Sequence, residues 1–173
     1  MDLRVRTAGL RLASVLLFFL LAGCSAFAPD SLPCPAVAVL PDAAKLVRYA
    51  GGTDLIDVEY EATIESVTPV CRRSGDDFKI ELRVAIAARR GPAMQDDRAA
   101  FAYFVAVTSA DRQVLAREEF PVVIPLSAEG RRIRLAEQVE PKLPIRKGLS
   151  QSSYRIYVGM VLTRQQIRQN RGG

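Results

Sequence analysis

Two pairs of adjacent carboxylates, Asp76-Asp77 and Asp96-Asp97, are the residues whose type and spacing come nearest to catalysis or calcium binding. Two acids can cleave a glycosidic bond without a histidine. Neither pair has the spacing of an EF-hand loop. Both fall where turns are expected, and there acidic side chains ordinarily bond their own backbone and meet water. The chain contains no histidine and no tryptophan. The first absence removes Ser-His-Asp and Cys-His catalysis and the commonest zinc and copper ligand. The second weakens any case for an aromatic platform under a sugar. There is no Gly-x-Ser-x-Gly elbow and no Ser-x-x-Lys, and Gly51-Gly52 is an isolated turn pair, not a phosphate cradle. No enzyme activity, metal or cofactor is therefore expected.

A different chemistry is written into the first residues. Arg4, Arg6 and Arg11 precede the apolar run Leu12–Leu21, and Leu21-Ala22-Gly23-Cys24 follows at once. That run is about half the length of a membrane-spanning helix, which needs roughly 20 apolar residues. A basic stretch, a short apolar stretch and small residues are the parts of a cleaved export signal. The tetrad resembles the lipobox of bacterial lipoproteins cleaved by signal peptidase II. The resemblance covers about the first 25 residues. It implies cleavage between Gly23 and Cys24 and acylation of Cys24 through its thiol, with palmitate-class chains holding the protein to a lipid bilayer. Ser25, where an Asp would tend to favour the inner membrane, points to the periplasmic side of the outer membrane. Beyond these residues the pattern resembles Gram-negative envelope lipoproteins with no activity to transfer.

Removing residues 1–23 leaves 150 of the 173 residues, and the net charge falls from +5 to +3. So mild an excess in an exported protein gives no reason to expect nucleic-acid binding. With Cys24 acylated, Cys34 and Cys71 remain in an oxidising compartment, where a disulfide is expected and two free buried thiols are the alternative. Ser25–Pro33, with Pro29 and Pro33, reads as a tether spanning at most about 30 Å. The expected organisation is a signal peptide over 1–23, a lipidated N-terminus and tether over 24–33, and one domain over 34–173.

Hydrophobicity alternates with period two along that domain, the signature of half-buried strands. Val58, Tyr60, Ala62 and Ile64 oppose Glu59, Glu61 and Glu65; Phe78, Ile80, Leu82, Val84 and Ile86 oppose Lys79, Glu81 and Arg83. Further strands are expected over 35–40, 101–107, 114–126, 131–139 and 154–162. Seven short strands predict an all-β antiparallel sandwich, immunoglobulin- or fibronectin-like. The first two strands are expected to pair antiparallel, placing Cys34 beside Cys71. A hairpin symmetric about Ser74 would set Ile64 against Val84, Ala62 against Ile86, and Glu65 against Arg83. Phe104 should face away from Phe101 and Tyr103, together with Ala102 and Ala106, so this strand is expected to be covered on both faces. Thr163 and Gln166 fit a capping box and predict a short helix over 164–170.

Cations gather late in the chain. Arg131, Arg132, Arg134, Arg164 and Arg168 form a candidate patch for lipid phosphate, lipopolysaccharide or an acidic protein; dispersed, they would be ordinary solvated surface. The leading expectation is a membrane-tethered, non-catalytic binding or assembly module of the cell envelope with a protein partner there. The alternatives are a carboxylate-dependent hydrolase of envelope polymers and a carrier of an apolar ligand.

Overall fold

A computed structural model describes residues 34–74, 77–128, 132–142 and 153–172, with backbone alone for Arg73, Ser74, Asp77 and Phe78. Eight strands are present: β1 (Ala36–Val39), β2 (Lys45–Tyr49), β3 (Val58–Ser74), β4 (Asp77–Arg90), β5 (Arg98–Ser109), β6 (Val114–Pro125), β7 (Ile133–Val139) and β8 (Tyr154–Met160). Helix α1 (Arg164–Gly172) follows the last strand. Sheet I has the order β1-β8-β5-β6 and sheet II the order β2-β3-β4-β7. Alternate residues of both sheets meet in one core, in which Ala62, Leu82, Val84, Ile86, Tyr103, Ile156 and Val158 are fully buried. The all-β sandwich is as expected. The additional strand is β2, whose five residues include two cations and lie between two turns.

The Cys34–Cys71 disulfide is present, with Cα atoms 5.7 Å apart. Its expected cause is corrected. β1 does not pair with β3; it runs parallel to β8 in sheet I, with Ala36 opposite Arg155 and Val39 opposite Val158. β3 lies between β2 and β4 in sheet II. The bond therefore bolts one sheet to the other. Facing sheets lie about 10 Å apart, so two inward side chains can meet across the core as well as along a ladder.

A β-bulge makes this possible. The pairing of β3 with β4 shifts between Ile64 and Ser66. Before the shift, even-numbered residues face the core (Tyr60, Ala62, Ile64); after it, Val67 and Cys71 do. Uninterrupted alternation from Ile64 would turn residue 71 outward. The extra residue, Glu65, reverses the phase and aims Cys71 at Cys34. The hairpin register is corrected as well. Ser74 opposes Asp77, so Ile64 faces Ile86, Ala62 faces Ala88, and Arg83 faces Thr68. A shift of two leaves the apolar face unchanged, which is why the pattern alone could not detect it.

Between β1 and β2 the chain changes sheets in a few residues. Leu40 N–H still bonds Val158 O in sheet I at 2.9 Å, and Ala44 O already accepts from Ile64 N–H in sheet II at 2.9 Å. A 3-10 turn, Pro41–Ala43, makes the crossing. α1 then covers the outer edge of β2. Its capping box is formed in both directions: Thr163 N–H donates to Gln166 Oε1 at 2.9 Å, and Gln166 N–H to Thr163 Oγ1 at 3.2 Å. Gln166 and Asn170, one helical turn apart, donate to the carbonyls of Val47 (3.3 Å) and Lys45 (2.8 Å). An i, i+4 step on a helix matches a two-residue step on a strand, each about 6 Å.

β6 is kept unpaired in another way. Val161 N–H bonds Ala102 O, so Ala102 directs its backbone groups toward β8. Pro121, opposite Ala102, therefore turns its N, which carries no hydrogen, to the free edge, where proline is tolerated.

Candidate anion-binding face

The outward side chains of sheet II form a layered charge array. Glu61 holds Lys45 Nζ (3.4 Å) and Arg89 Nη2 (3.1 Å). Glu65 holds Arg132 Nη2 (2.8 Å) and Arg134 Nε (2.9 Å). Glu81 holds Arg72 Nη1 (3.1 Å) and Arg83 Nε (3.6 Å). On this face exposed Lys79 also stands opposite Arg72 in the register; the Arg48–Glu59 pair (3.5 Å) lies instead at the core-facing rim, where Arg48 stands opposite Tyr60. The ion-paired cations of the face are 47–73% exposed and the carboxylates 5–24%. The carboxylates form the floor and the cations the surface.

Among the described side chains, seven cations against three carboxylates give this face a net +4. The chain carries +5, or +3 without residues 1–23, so the rest of that shorter chain sums to −1. The alternation of β3 and β4 puts the acids and bases outward, and strand pairing then interleaves them. At Glu65, the hydrogen bond from Arg134 is the main cause holding the carboxyl below its ordinary 4.5. The charges of both arginines add to it, and a smaller desolvation effect opposes it.

Of the arginines expected from sequence to share a patch, Arg132 and Arg134 lie on this face, and Arg131 falls outside the described residues. Arg164 and Arg168 are exposed on α1, which flanks β2, the edge opposite β7. Three strand spacings, about 14 Å, separate those edges. Lys45, Arg72, Lys79, Arg83 and Arg89 were not foreseen as members. Their outward phase is legible strand by strand, but their convergence depends on strand order.

One end of the face meets an apolar tip. Leu55 and Ile56 are 84% and 73% exposed on the turn between β2 and β3. The turn is pinned: Asp54 N–H donates to Asp57 Oδ2 (3.1 Å), Asp57 N–H to Asp54 O (3.0 Å), and Ala50 N–H to Asp57 O (2.9 Å). Arg90 fastens the neighbouring β4–β5 loop, donating to the carbonyls of Met94, Asp96 and Leu126. Gly91 packs so closely that a Cβ would lie 2.2 Å from Val58 O. A cleft of about 430 Å³ joins tip to face, bounded by Leu55, Val58, Glu61, Arg89, Gly91 and Pro92.

The two carboxylate pairs do not come together. Asp76 and the side chain of Asp77 fall outside the described residues. Asp77 opens β4, whereas Asp96-Asp97 follow its other end, so the 14 residues of β4 separate them by roughly 45 Å. Asp97 is 86% exposed and pairs with Arg98 at 3.4 Å. Among the described residues, no group of three or more His, Cys, Asp or Glu could hold a metal, and no helix is long and apolar enough to cross a membrane.

On β5, Tyr103 is fully buried and stacks on Phe120 at 5.3 Å. Phe104 faces outward, as expected, and is covered from within the chain by the Arg117 guanidinium 4.5 Å above its ring.

No family model and no curated protein matches this chain. Among solved structures, the variable (V) domain of the Streptococcus agalactiae AgI/II polypeptide BspA is similar at 12% identity, over 72% of this chain and 77% of that one. Its TM-score is 0.18, too low to bear on structure or function.

Proposed function

We propose that this protein is a membrane-tethered, non-catalytic binding module of the bacterial cell envelope. It is held by lipid on Cys24 after cleavage at Gly23, on the periplasmic side of the outer membrane, and recognises an anionic partner through the outer face of sheet II. One observation carries the reading: a net +4 on a single face, with cations outermost and carboxylates beneath them. A flat array of this kind attracts anions over its whole area and offers no enclosed reaction centre. The exposed Asp96-Asp97 pair, a full strand length from the start of β4 at Asp77, favours the same reading over a hydrolase.

The test uses the lipidated protein in its native host, with a photo-crosslinking residue at Ala136 on the face of sheet II or at Ala100 on the outer face of sheet I. Both positions are exposed. Adducts are expected from position 136, and mass spectrometry of the N-terminal peptide should find Cys24 as an acylated first residue. Adducts from position 100 alone would overturn the assignment of the face. An unmodified Cys24 thiol or an uncleaved N-terminus in protein from the host would overturn the anchor.

A further inference from the structure

We infer that the outer face of sheet II and the Leu55–Ile56 tip form one peripheral binding surface for an anionic phospholipid bilayer. This rests on the anion-binding reading above and names the anion. Three observations converge on it. The tip presents two large apolar side chains to water at 84% and 73% exposure, on a turn fixed by its own hydrogen bonds. Their insertion therefore requires little further ordering of the loop. The tip is also continuous with the cations, because Leu55 and Arg89 line the same cleft. Apolar side chains beside a basic face are what an interfacial protein needs: the former reach the acyl boundary while the latter stay among phosphates. Two acids flank the tip, Asp54 and Asp57, and the second is turned back onto the Asp54 N–H.

The shape of the face separates a bilayer from a protein partner. The cations are spread across the sheet, and all but Lys79 are propped outward by a carboxylate below. Laterally mobile phosphates can adjust to such an array, whereas a folded partner would have to match it point for point. Orientation agrees. Val58, at the start of β3, lines the tip cleft, and Cys71, thirteen residues on, joins Cys34, where the chain enters the domain. That is about 43 Å of strand. A lipid anchor ahead of Cys34 and an apolar tip at the far end would hold β3, and sheet II with it, along the membrane. Two attachments on one chain reinforce each other.

The experiment is co-sedimentation of the mature chain carrying Cys24→Ser with vesicles of phosphatidylethanolamine and phosphatidylglycerol, against vesicles of phosphatidylcholine alone. Binding is expected to the anionic vesicles only, and to weaken with added salt. Leu55→Asp with Ile56→Asp should reduce it by about tenfold or more, as should Arg89→Glu with Arg134→Glu. Val123→Asp, on an exposed residue of sheet I, should leave it unchanged. Circular dichroism checks that each variant is folded, and tip residues this exposed can be replaced without disturbing the core. Equal binding to neutral vesicles, indifference to the tip variant, or full competition by inorganic phosphate would each overturn the inference. No vesicle binding while adducts still form at position 136 would overturn the bilayer and leave the anionic-partner reading standing.

Discussion

Cutting the bolt between the sheets is the perturbation whose magnitude follows most directly from the structure. Cys34→Ala with Cys71→Ala removes a bond that closes a 37-residue separation. In the chain-entropy description, releasing a loop of that length from the unfolded state costs about 4 kcal/mol of stability at 25 °C. A domain of this size holds only about 5–15 kcal/mol in total, so the loss is a large share. Urea unfolding of the oxidised protein and the double variant measures it, with a lower midpoint expected and a somewhat larger m-value, because the unlinked chain exposes more surface. The position of the bond adds a local signature. β1 has only four residues and pairs with β8 alone, so its last bond, Leu40 N–H to Val158 O, should lose hydrogen-exchange protection ahead of the β3–β4 ladder. A loss below about 1 kcal/mol, where the entropy of closure predicts several, would refute the account. Finding Cys34 and Cys71 free in protein from its host would also refute it.

Three further outcomes are expected. Gly91→Ala would drive a Cβ into the Val58 carbonyl and should destabilise by about 2 kcal/mol or more; a melting temperature equal to the parent's would contradict the packing described. Tyr103→Phe should leave stability within about 1 kcal/mol of the parent or raise it, because the buried hydroxyl has no hydrogen bond of ordinary length and angle. Burial, and secondarily Glu137, push the Tyr103 pKa well above 10. A pKa raised by folding stabilises fully below pH 10 and is lost as pH rises through the folded value, so ultraviolet titration should show this phenol ionising only as the domain unfolds. At Glu65 the folded pKa lies below 4.5. Its contribution is therefore present above about pH 4.5 and lost as pH falls through the lowered value. Carboxyl NMR should show that midpoint rising more with Arg134→Ala than with Arg132→Ala, and the reverse order would contradict the geometry.

The sequence made some of this legible and concealed the rest for identifiable reasons. Period-two alternation exposed seven strands and the sandwich class, because burial on one face leaves a mark in every strand. The box of Thr163 and Gln166 marked α1 because it is closed by neighbours in the chain. Counting cysteines indicated the bridge, but the neighbours of β1 are decided by packing between sheets, which leaves no local trace. The bulge at Glu65 stayed hidden because it is one residue in an otherwise regular strand, although it decides which way Cys71 points. The cationic face was only partly visible: Arg132 and Arg134 are close in sequence, whereas Lys45, Arg72 and Arg89 reach the same face from three other places in the chain.

Strand edges limit how such a domain can engage anything. A sandwich offers four edges, each a template for adding a foreign strand. Here α1 fills the outer carbonyls of β2 with Gln166 and Asn170, Pro121 removes a donor from the free side of β6, and β1 is only four residues long. Among the described residues β7 has an extended edge with no such block, and it borders Arg132 and Arg134, both bound to Glu65. A segment docking there would have to pass two guanidinium groups before reaching the backbone, which discourages neutral or basic strands. Recognition is thus directed away from strand addition and toward faces and loops. Of the two outer faces, that of sheet I sets Arg117, Glu119 and Arg155 among Ala100, Ala102, Ala106 and Gly159, a smaller cationic excess than the net +4 of sheet II, whose field reaches about one Debye length, roughly 8 Å at physiological ionic strength. On the proposed reading an anionic partner arriving by diffusion would be drawn more strongly to the second face, where the carboxylate floor keeps the cations extended.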